Sequence, residues 1–236
     1  MNATGHTAIA YRLPRFLRDH VLHFEGEIQA ALKRFAAALP SGARVLDAGA
    51  GESRHAAHFA KQHYIAVDLA VGDPAWNYRK LDCVADLAAL PFAAGSFDAL
   101  LNIVTLEHLK DPARALAEMA RVLRSGAPVL IAAPHEWEVH QSPHDFFRYT
   151  RHGLEHLLRG AGFDEIEITP AGGYFRLLSR RLLNGLQFFV GGARWLLFLP
   201  AAALLVPPAL ILPALDGLDR EKNFTLGYVC TAKRSS

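Results

Sequence analysis

The stretch Val45-Leu46-Asp47-Ala48-Gly49-Ala50-Gly51-Glu52-Ser53 places two glycines where an apolar strand must turn sharply into the next element. Glycine permits the backbone angles of such a turn and lets a ligand come close to the main chain. A dinucleotide-binding turn needs a small residue three positions after its second glycine, but Arg54 stands there, and a bulky cation obstructs close packing. Asp47 lies two residues before the first glycine, at the carboxyl end of the strand, where a carboxylate repels a pyrophosphate and attracts a cation. The ligand expected at this turn carries positive charge and no phosphate, which disfavours a nicotinamide oxidoreductase.

Outward from this turn, apolar strand-like runs recur at 64–69, 97–104 and 128–133, separated by segments such as 111–123 with helical periodicity. A helix is expected upstream over 15–38, ended by Pro40, Ser41 and Gly42. Another is expected over 150–159, stopped by Gly160 and Gly162, with strands following at 165–169 and 224–232. Alternating strand and helix implies a parallel sheet. Four segments follow from this reading: a helical 1–40, a core at 41–170, an apolar helical insertion at 171–220, and a final strand at 221–236 that completes the core sheet.

S-adenosylmethionine, with its sulfonium and ammonium groups, fits the ligand that the turn calls for. Leu46-Asp47-Ala48-Gly49-Ala50-Gly51 resembles the first motif of class I methyltransferases, and Val67-Asp68 resembles the acidic end of their second strand. Ala85-Asp86-Leu87-Ala88-Ala89-Leu90-Pro91-Phe92 and then Gly95-Ser96-Phe97-Asp98 look like the adenine segment and the approach to strand four. Leu106-Glu107-His108-Leu109, Asp111-Pro112, Glu118 and Arg121-Val122-Leu123 with Ser125-Gly126 follow in the usual order. The resemblance covers about 43–168. It implies a Rossmann-like α/β fold, with a seven-stranded, mostly parallel sheet, helices on both faces and an antiparallel last strand. It further implies S-adenosylmethionine held by Asp47, Gly49, Gly51, Asp68, Leu69, Asp86, Leu87 and Asn102, with Asp68 on the ribose hydroxyls and Asp86 on the adenine amine. Glu52-Ser53 departs from the commonest pattern, in which a small residue or threonine follows the second glycine.

Methyl transfer asks little covalent help from a protein, because the sulfonium is already activated and alignment lowers the entropic barrier. A base is required chiefly for hydroxyl acceptors. The segment from Pro134 to Tyr149 crowds His135, His140 and His144 into ten residues, beside Glu136, Asp145 and Arg148. His135 or His144 is the expected general base, oriented by Glu136 or Asp145; equally, His144, Asp145, Arg148 and Tyr149 can form a structural clasp. The segment is similar to one in methyltransferases of glycan or lipid-linked sugar biosynthesis. Glu107 and His108 either border the acceptor pocket or anchor the following helix. Val104 replaces the first glutamate of a Glu-x-x-Glu-His metal cluster, so no required metal is expected. Asn102-Ile103-Val104-Thr105 in place of an Asn/Asp-Pro-Pro-Tyr motif favours an oxygen acceptor over a nitrogen one.

The net charge of +2, from 25 basic and 23 acidic residues, points to no nucleic-acid partner. Cys83 and Cys230 form neither a disulfide framework nor a metal knuckle, and residues 1–19 lack the apolar core of a secretory signal, so cytoplasmic residence is expected. Residues 195–215 (WLLFLPAAALLVPPALILPAL) are uncharged over bilayer length, yet Pro200, Pro207, Pro208 and Pro213 should break a regular helix. Together with the apolar 182–192 they can dip into a leaflet as a hairpin, with Arg176, Arg180, Arg181 and Arg194 at the headgroups. The competing reading is a hydrophobic lid or dimer interface. The expected protein is thus an S-adenosylmethionine-dependent methyltransferase, peripheral at the inner face of the membrane through 182–215. Its acceptor would be a small molecule or a lipid-linked compound such as a polyprenyl-linked saccharide. The alternative is a membrane-associated S-adenosylmethionine-binding or assembly protein without turnover.

Overall fold

The computed structural model describes residues 22–236, so the expected helical start at 15–21 lies outside the described residues. Helix α1 (His23–Ala38) leads into strand β1 (Arg44–Ala48). Strands β2 (His63–Asp68), β3 (Cys83–Val84) and β4 (Ala99–Ile103) follow, then α2 (Pro112–Val122), β5 (Pro128–Pro134), α3 (Arg151–Gly160) and β6 (Phe163–Pro170). Two apolar helices, α4 (Tyr174–Gly185) and α5 (Trp195–Ile211), precede the last strand β7 (Gly227–Arg234). The two-residue β3 has no apolar run of its own, which is why periodicity does not reveal it.

The seven strands form one sheet in the order β3-β2-β1-β4-β5-β7-β6. β1 pairs in parallel with β2 on one side and β4 on the other, β2 with β3, and β4 with β5. β7 runs the opposite way. Its end bonds to the start of β5 through the Arg234 amide and the Ala127 carbonyl (2.9 Å), and its start bonds to the end of β6 through the Ala171 amide and the Gly227 carbonyl (2.9 Å). The expected mostly parallel sheet with an antiparallel last strand is therefore present.

The central strands are buried on both faces, as parallel strands flanked by helices must be. Leu46, Ala48, Leu100, Val129, Ile131 and Ala133 share one core with Leu116 and Met119 of α2 and Leu154 and Leu158 of α3. Their strand neighbours Val45, Leu101, Leu130 and Ala132, which alternate to the opposite face, are equally buried. Local signals set the helix starts: Asp111 accepts from the Arg114 amide (3.0 Å) ahead of Pro112, and Thr150 accepts from Gly153 (3.0 Å). Arg121 on α2 donates to the carbonyls of Leu90 (3.0 Å) and Phe92 (2.8 Å), while Glu118 accepts from the Leu90 amide (3.0 Å). This bracket fixes the loop after β3.

Residues Ile28–Thr169 with Tyr228–Ser236 form one compact unit, and Pro170–Gly227 with 22–27 form a second. Within the second unit, Asp216 accepts from the amides of Gly173 (3.0 Å) and Arg176 (3.1 Å), and Asp219 accepts from Tyr174 (2.8 Å). Two late carboxylates thus satisfy the orphan N–H groups at the start of α4. Contrary to the expectation from its prolines, α5 continues through Pro200, Pro207 and Pro208. Each proline removes one donor without ending the helix, because the remaining bonds and the packing of α5 on α4 hold it. The regular helix gives way just before Pro213, which cannot donate to the Ala209 carbonyl; the Ser179 hydroxyl of α4 donates to it instead, and a 3-10 helix follows over Leu212–Leu218.

Leu100 is fully buried at the centre of β4. Leu100→Ala is expected to lower unfolding stability by about 2–5 kcal/mol, read by denaturant titration, through lost burial and a residual cavity. A change below about 1 kcal/mol would mean that the core collapses around the gap.

Candidate functional site

The strand order reverses between β1 and β4, and open α/β sheets bind ligands at the carboxyl ends of the strands at such a point. The glycine turn lies there. Gly49 has φ 93° and Gly51 φ 51°, both in the left-handed region that favours glycine. A side chain at Gly49 has no room, since its Cβ would lie 2.2 Å from the Thr105 methyl. Thr105 follows β4 and donates its hydroxyl to the Gly49 carbonyl (3.1 Å), closing the crevice floor. Val104 takes φ 52°, a strained geometry for a β-branched residue, at the same strand end.

The residues expected at the cofactor take two kinds of position. Asp68 stands at the end of β2, where its Oδ2 accepts from the Gly51 amide (2.9 Å) and its Oδ1 from Ala70 (2.8 Å). Asp86 is exposed and accepts from the Ala88 amide (2.8 Å) through one oxygen, Leu69 is half exposed and Leu87 is buried. Asp47 and Asn102 are wholly buried. Asn102 donates to the Ala48 carbonyl (2.7 Å), so it braces the last residue of β1 just before the turn. Asp47 accepts from the Tyr64 hydroxyl, and its Oδ1, like Asn102 Oδ1, is buried without a hydrogen-bond partner.

Burial raises the Asp47 carboxyl to about 7, against the Tyr64 hydrogen bond and with help from the nearby Asp68 charge. Sequence reasoning did not single out Thr105, Trp76 or Tyr78. Trp76 stands 3.4 Å from where a Cβ on Gly51 would be, and the Tyr78 hydroxyl accepts from the Gly72 amide (2.9 Å). Glu52, the departure after the second glycine, pairs with Arg54 and accepts from the Asn77 amide (3.1 Å), which anchors the loop carrying Trp76.

On the acceptor side, the loop after β5 folds onto the segment after β4. The amides of Phe146 (2.9 Å) and Phe147 (3.2 Å) donate to the Glu107 carbonyl, and the Tyr149 hydroxyl donates to the Leu106 carbonyl (2.8 Å). Asp145 serves the clasp: it binds Arg148 through both oxygens (2.6 and 2.8 Å) and accepts from the His140 amide (2.8 Å). Burial would raise the Asp145 carboxyl, but Arg148 and the His140 amide outweigh it and hold it at about 2. His135 is oriented by the Tyr149 carbonyl, 2.9 Å from its Nδ1, and not by Asp145 or Glu136; the His144 carbonyl faces His108 Nδ1. His140 was not singled out, yet it meets Glu107 and His108. Burial pushes Glu107 up to about 8 and His108 down to about 4.

A sequence profile described as a methyltransferase domain matches residues 46–131. The O-methyltransferase rstn1 of Aspergillus nomiae is 31% identical over 152 residues, which cover 54% of this chain and 67% of that protein. The chain belongs to the class I S-adenosylmethionine-dependent methyltransferase family. A demethylmenaquinone methyltransferase of Renibacterium salmoninarum is 36% identical over 97 residues, covering 39% of this chain and 41% of that methyltransferase. The chain spans about two fifths or less of the first curated methyltransferases it matches. A solved S-adenosylmethionine-dependent methyltransferase from Archaeoglobus fulgidus shares the fold, with a TM-score of 0.57 at 14% identity over 89% of this chain and 94% of that one.

The raised Asp47 carboxyl makes the fold less stable as pH rises. A folded-state value near 7 against the ordinary 3.8 contributes stability that is full below about pH 4 and is lost as pH rises through 7. Asp47→Asn keeps an acceptor for Tyr64 and removes the titration. Its urea midpoint is expected to exceed that of the parent at pH 8, with a flatter profile between pH 4 and 7; parallel profiles would contradict the assignment.

Proposed function

We propose that the protein transfers a methyl group from S-adenosylmethionine to an oxygen of a small-molecule or lipid-linked acceptor. The observation that carries this reading is the cradle at the carboxyl end of β1: a glycine turn without room for a side chain, beside a carboxylate fixed by the turn's own amide. The residues fit a cationic, phosphate-free ligand, because two buried acceptor oxygens without donors, Asp47 Oδ1 and Asn102 Oδ1, lie on adjacent strands at this end of the sheet. When bound, S-adenosylmethionine supplies a methyl group on a positively charged sulfur.

Gly49 and Gly51 bring the main chain close to the ligand, Asp68 accepts from the ribose hydroxyls with its remaining lone pairs, and Asp86 accepts from the adenine amine with its free oxygen. Leu69 and Leu87 supply apolar contact to the adenosine. Asp47 and Asn102 hold the end of β1. On the acceptor side, His135, fixed by the Tyr149 carbonyl, or His144 takes the hydroxyl proton. Oxygen as the methylated atom is supported by the O-methyltransferase relative and by the absence of an Asn/Asp-Pro-Pro-Tyr motif after β4.

The same reading places the protein on the cytoplasmic leaflet of a membrane. Gly192–Leu218 is a helical run long and apolar enough to cross a bilayer, with mean hydropathy 2.2, and it exposes Trp195, Leu196, Leu199 and Leu204. Arg176 and Arg180, expected at the headgroups, instead pair with Asp216 (3.5 Å) and Glu25 (3.6 Å), which leaves the exposed Arg194 as the better-placed cation. Cys83 and Cys230 are free thiols, which suits a reducing compartment.

With methyl-labelled S-adenosylmethionine and a lipid extract, the protein is expected to form a product whose label is carried on oxygen, read by mass spectrometry, and Asp68→Ala to lower the rate at least about 100-fold. An unchanged rate in the variant would remove the site assignment, and binding without product would favour a non-catalytic S-adenosylmethionine-binding protein. In vesicle flotation, Leu196→Glu with Leu204→Glu is expected to release the protein from anionic liposomes. Equal flotation of variant and parent would contradict the leaflet contact.

A further inference from the structure

Glu107 and His108 follow β4 directly, and His140 arrives on the loop after β5, which is tied back by the bonds to the Glu107 carbonyl. One ligand atom from each of the three lies within 4.8 Å of the others. The rings are already oriented. His108 Nδ1 faces the His144 carbonyl and so carries the proton, leaving the lone pair on Nε2. His140 Nδ1 lies nearest the Glu138 carbonyl (3.1 Å), which likewise directs its lone pair to Nε2; Asp145 Oδ2 and Arg148 Nη2, each 3.5 Å away, are bound to one another.

Both Nε2 atoms point toward one buried carboxylate. Glu107 Oε1 is 3.6 Å from His108 Nε2 and 3.7 Å from His140 Nε2, too far for hydrogen bonds. Glu107 has no exposed surface, and neither its two oxygens nor His108 Nε2 has a hydrogen-bond partner. Acceptors gathered without a donor are costly to bury, and a cation between them removes that cost. Two metal–ligand bonds of about 2.1 Å at a tetrahedral angle separate their ligands by about 3.4 Å, close to the 3.6 and 3.7 Å between Glu107 Oε1 and the two Nε2 atoms.

We infer that Glu107, His108 and His140 form a binding site for a divalent transition-metal ion of the zinc type. Two imidazoles and one carboxylate suit such an ion and not magnesium or calcium, which take oxygen ligands. The carbonyl behind the His108 ring, and the carbonyl and carboxylate behind the His140 ring, are the kind of outer partner that metal-bound histidines use. The Arg148 charge is offset by Asp145 and does not exclude the ion. Contrary to the expectation of no metal, which rests on Val104 in place of a glutamate after β4, the third ligand comes from outside that segment, as His140 on the loop after β5.

Three protein ligands leave a coordination position open. Thr105, two residues before Glu107, reaches the glycine turn, so two of the ligands stand on the segment that borders the methyl donor's crevice, and a bound ion would supply Lewis-acid help to an acceptor oxygen there. That assignment rests on the methyl-transfer reading, whereas metal binding does not.

The chelator-treated full chain is titrated with Co²⁺, followed by visible absorption, and with Zn²⁺, followed by calorimetry, both without S-adenosylmethionine. One ion per chain is expected, with Glu107→Gln and His140→Ala each weakening binding at least about 100-fold and His156→Ala, exposed on α3, leaving it unchanged. No uptake by the folded protein, or parental affinity in Glu107→Gln, would overturn the inference. X-ray absorption on the zinc-loaded parent, which needs no folded variant, is expected to show two imidazole ligands, and a shell without histidine would overturn it. Because no methyl donor is present, failure here leaves methyl transfer standing, and failure of methyl transfer leaves the metal site standing.

Discussion

The close approach of Gly49 to Thr105 governs the architecture of the site. β1 is gripped by β2 and β4 on its two edges and buried on both faces, so its chain can leave only at the carboxyl end. There a missing side chain lets the turn lie against the residue that follows β4, and a threonine hydroxyl bonds the two strand ends together. Asp68 ties the same turn to β2 through the Gly51 amide. One turn therefore fixes three strand ends, and the ligand crevice is what remains between them.

Much of this was legible because it is local. The run before Gly49, the acid at Asp68 and the ordered segments to Ser125-Gly126 each declare a strand end, a turn or a helix through nearby residues. The parallel sheet follows from their alternation. What escaped depends on contacts between distant segments. Thr105 reads as an ordinary residue until Gly49 is placed against it, and Trp76 until Gly51 is. Asp145 was offered as an orienting partner for His135 or His144, but it meets Arg148 and the His140 amide, because the loop after β5 folds back on itself. His140 acquires its neighbours through that same fold.

The apolar insertion shows a different limit. Counting prolines predicts a broken helix, since each one removes a donor and crowds the preceding turn. The cost is met elsewhere: Ser179 on α4 supplies the bond that Pro213 cannot give, while Asp216 and Asp219 hold the start of α4. A hydroxyl remote in sequence supports the end of α5, a helix that its own composition disfavours, and carboxylates that follow α5 hold the start of its neighbour α4.

The glycine turn is shaped for a cationic, phosphate-free adenosyl ligand. Calorimetric titration of the full chain with S-adenosylmethionine, S-adenosylhomocysteine and NAD distinguishes such a ligand from a dinucleotide. Saturable binding of the two adenosyl ligands, with no heat from NAD, is the predicted result. Saturable binding of NAD, or no binding of either adenosyl ligand by folded protein, would contradict it.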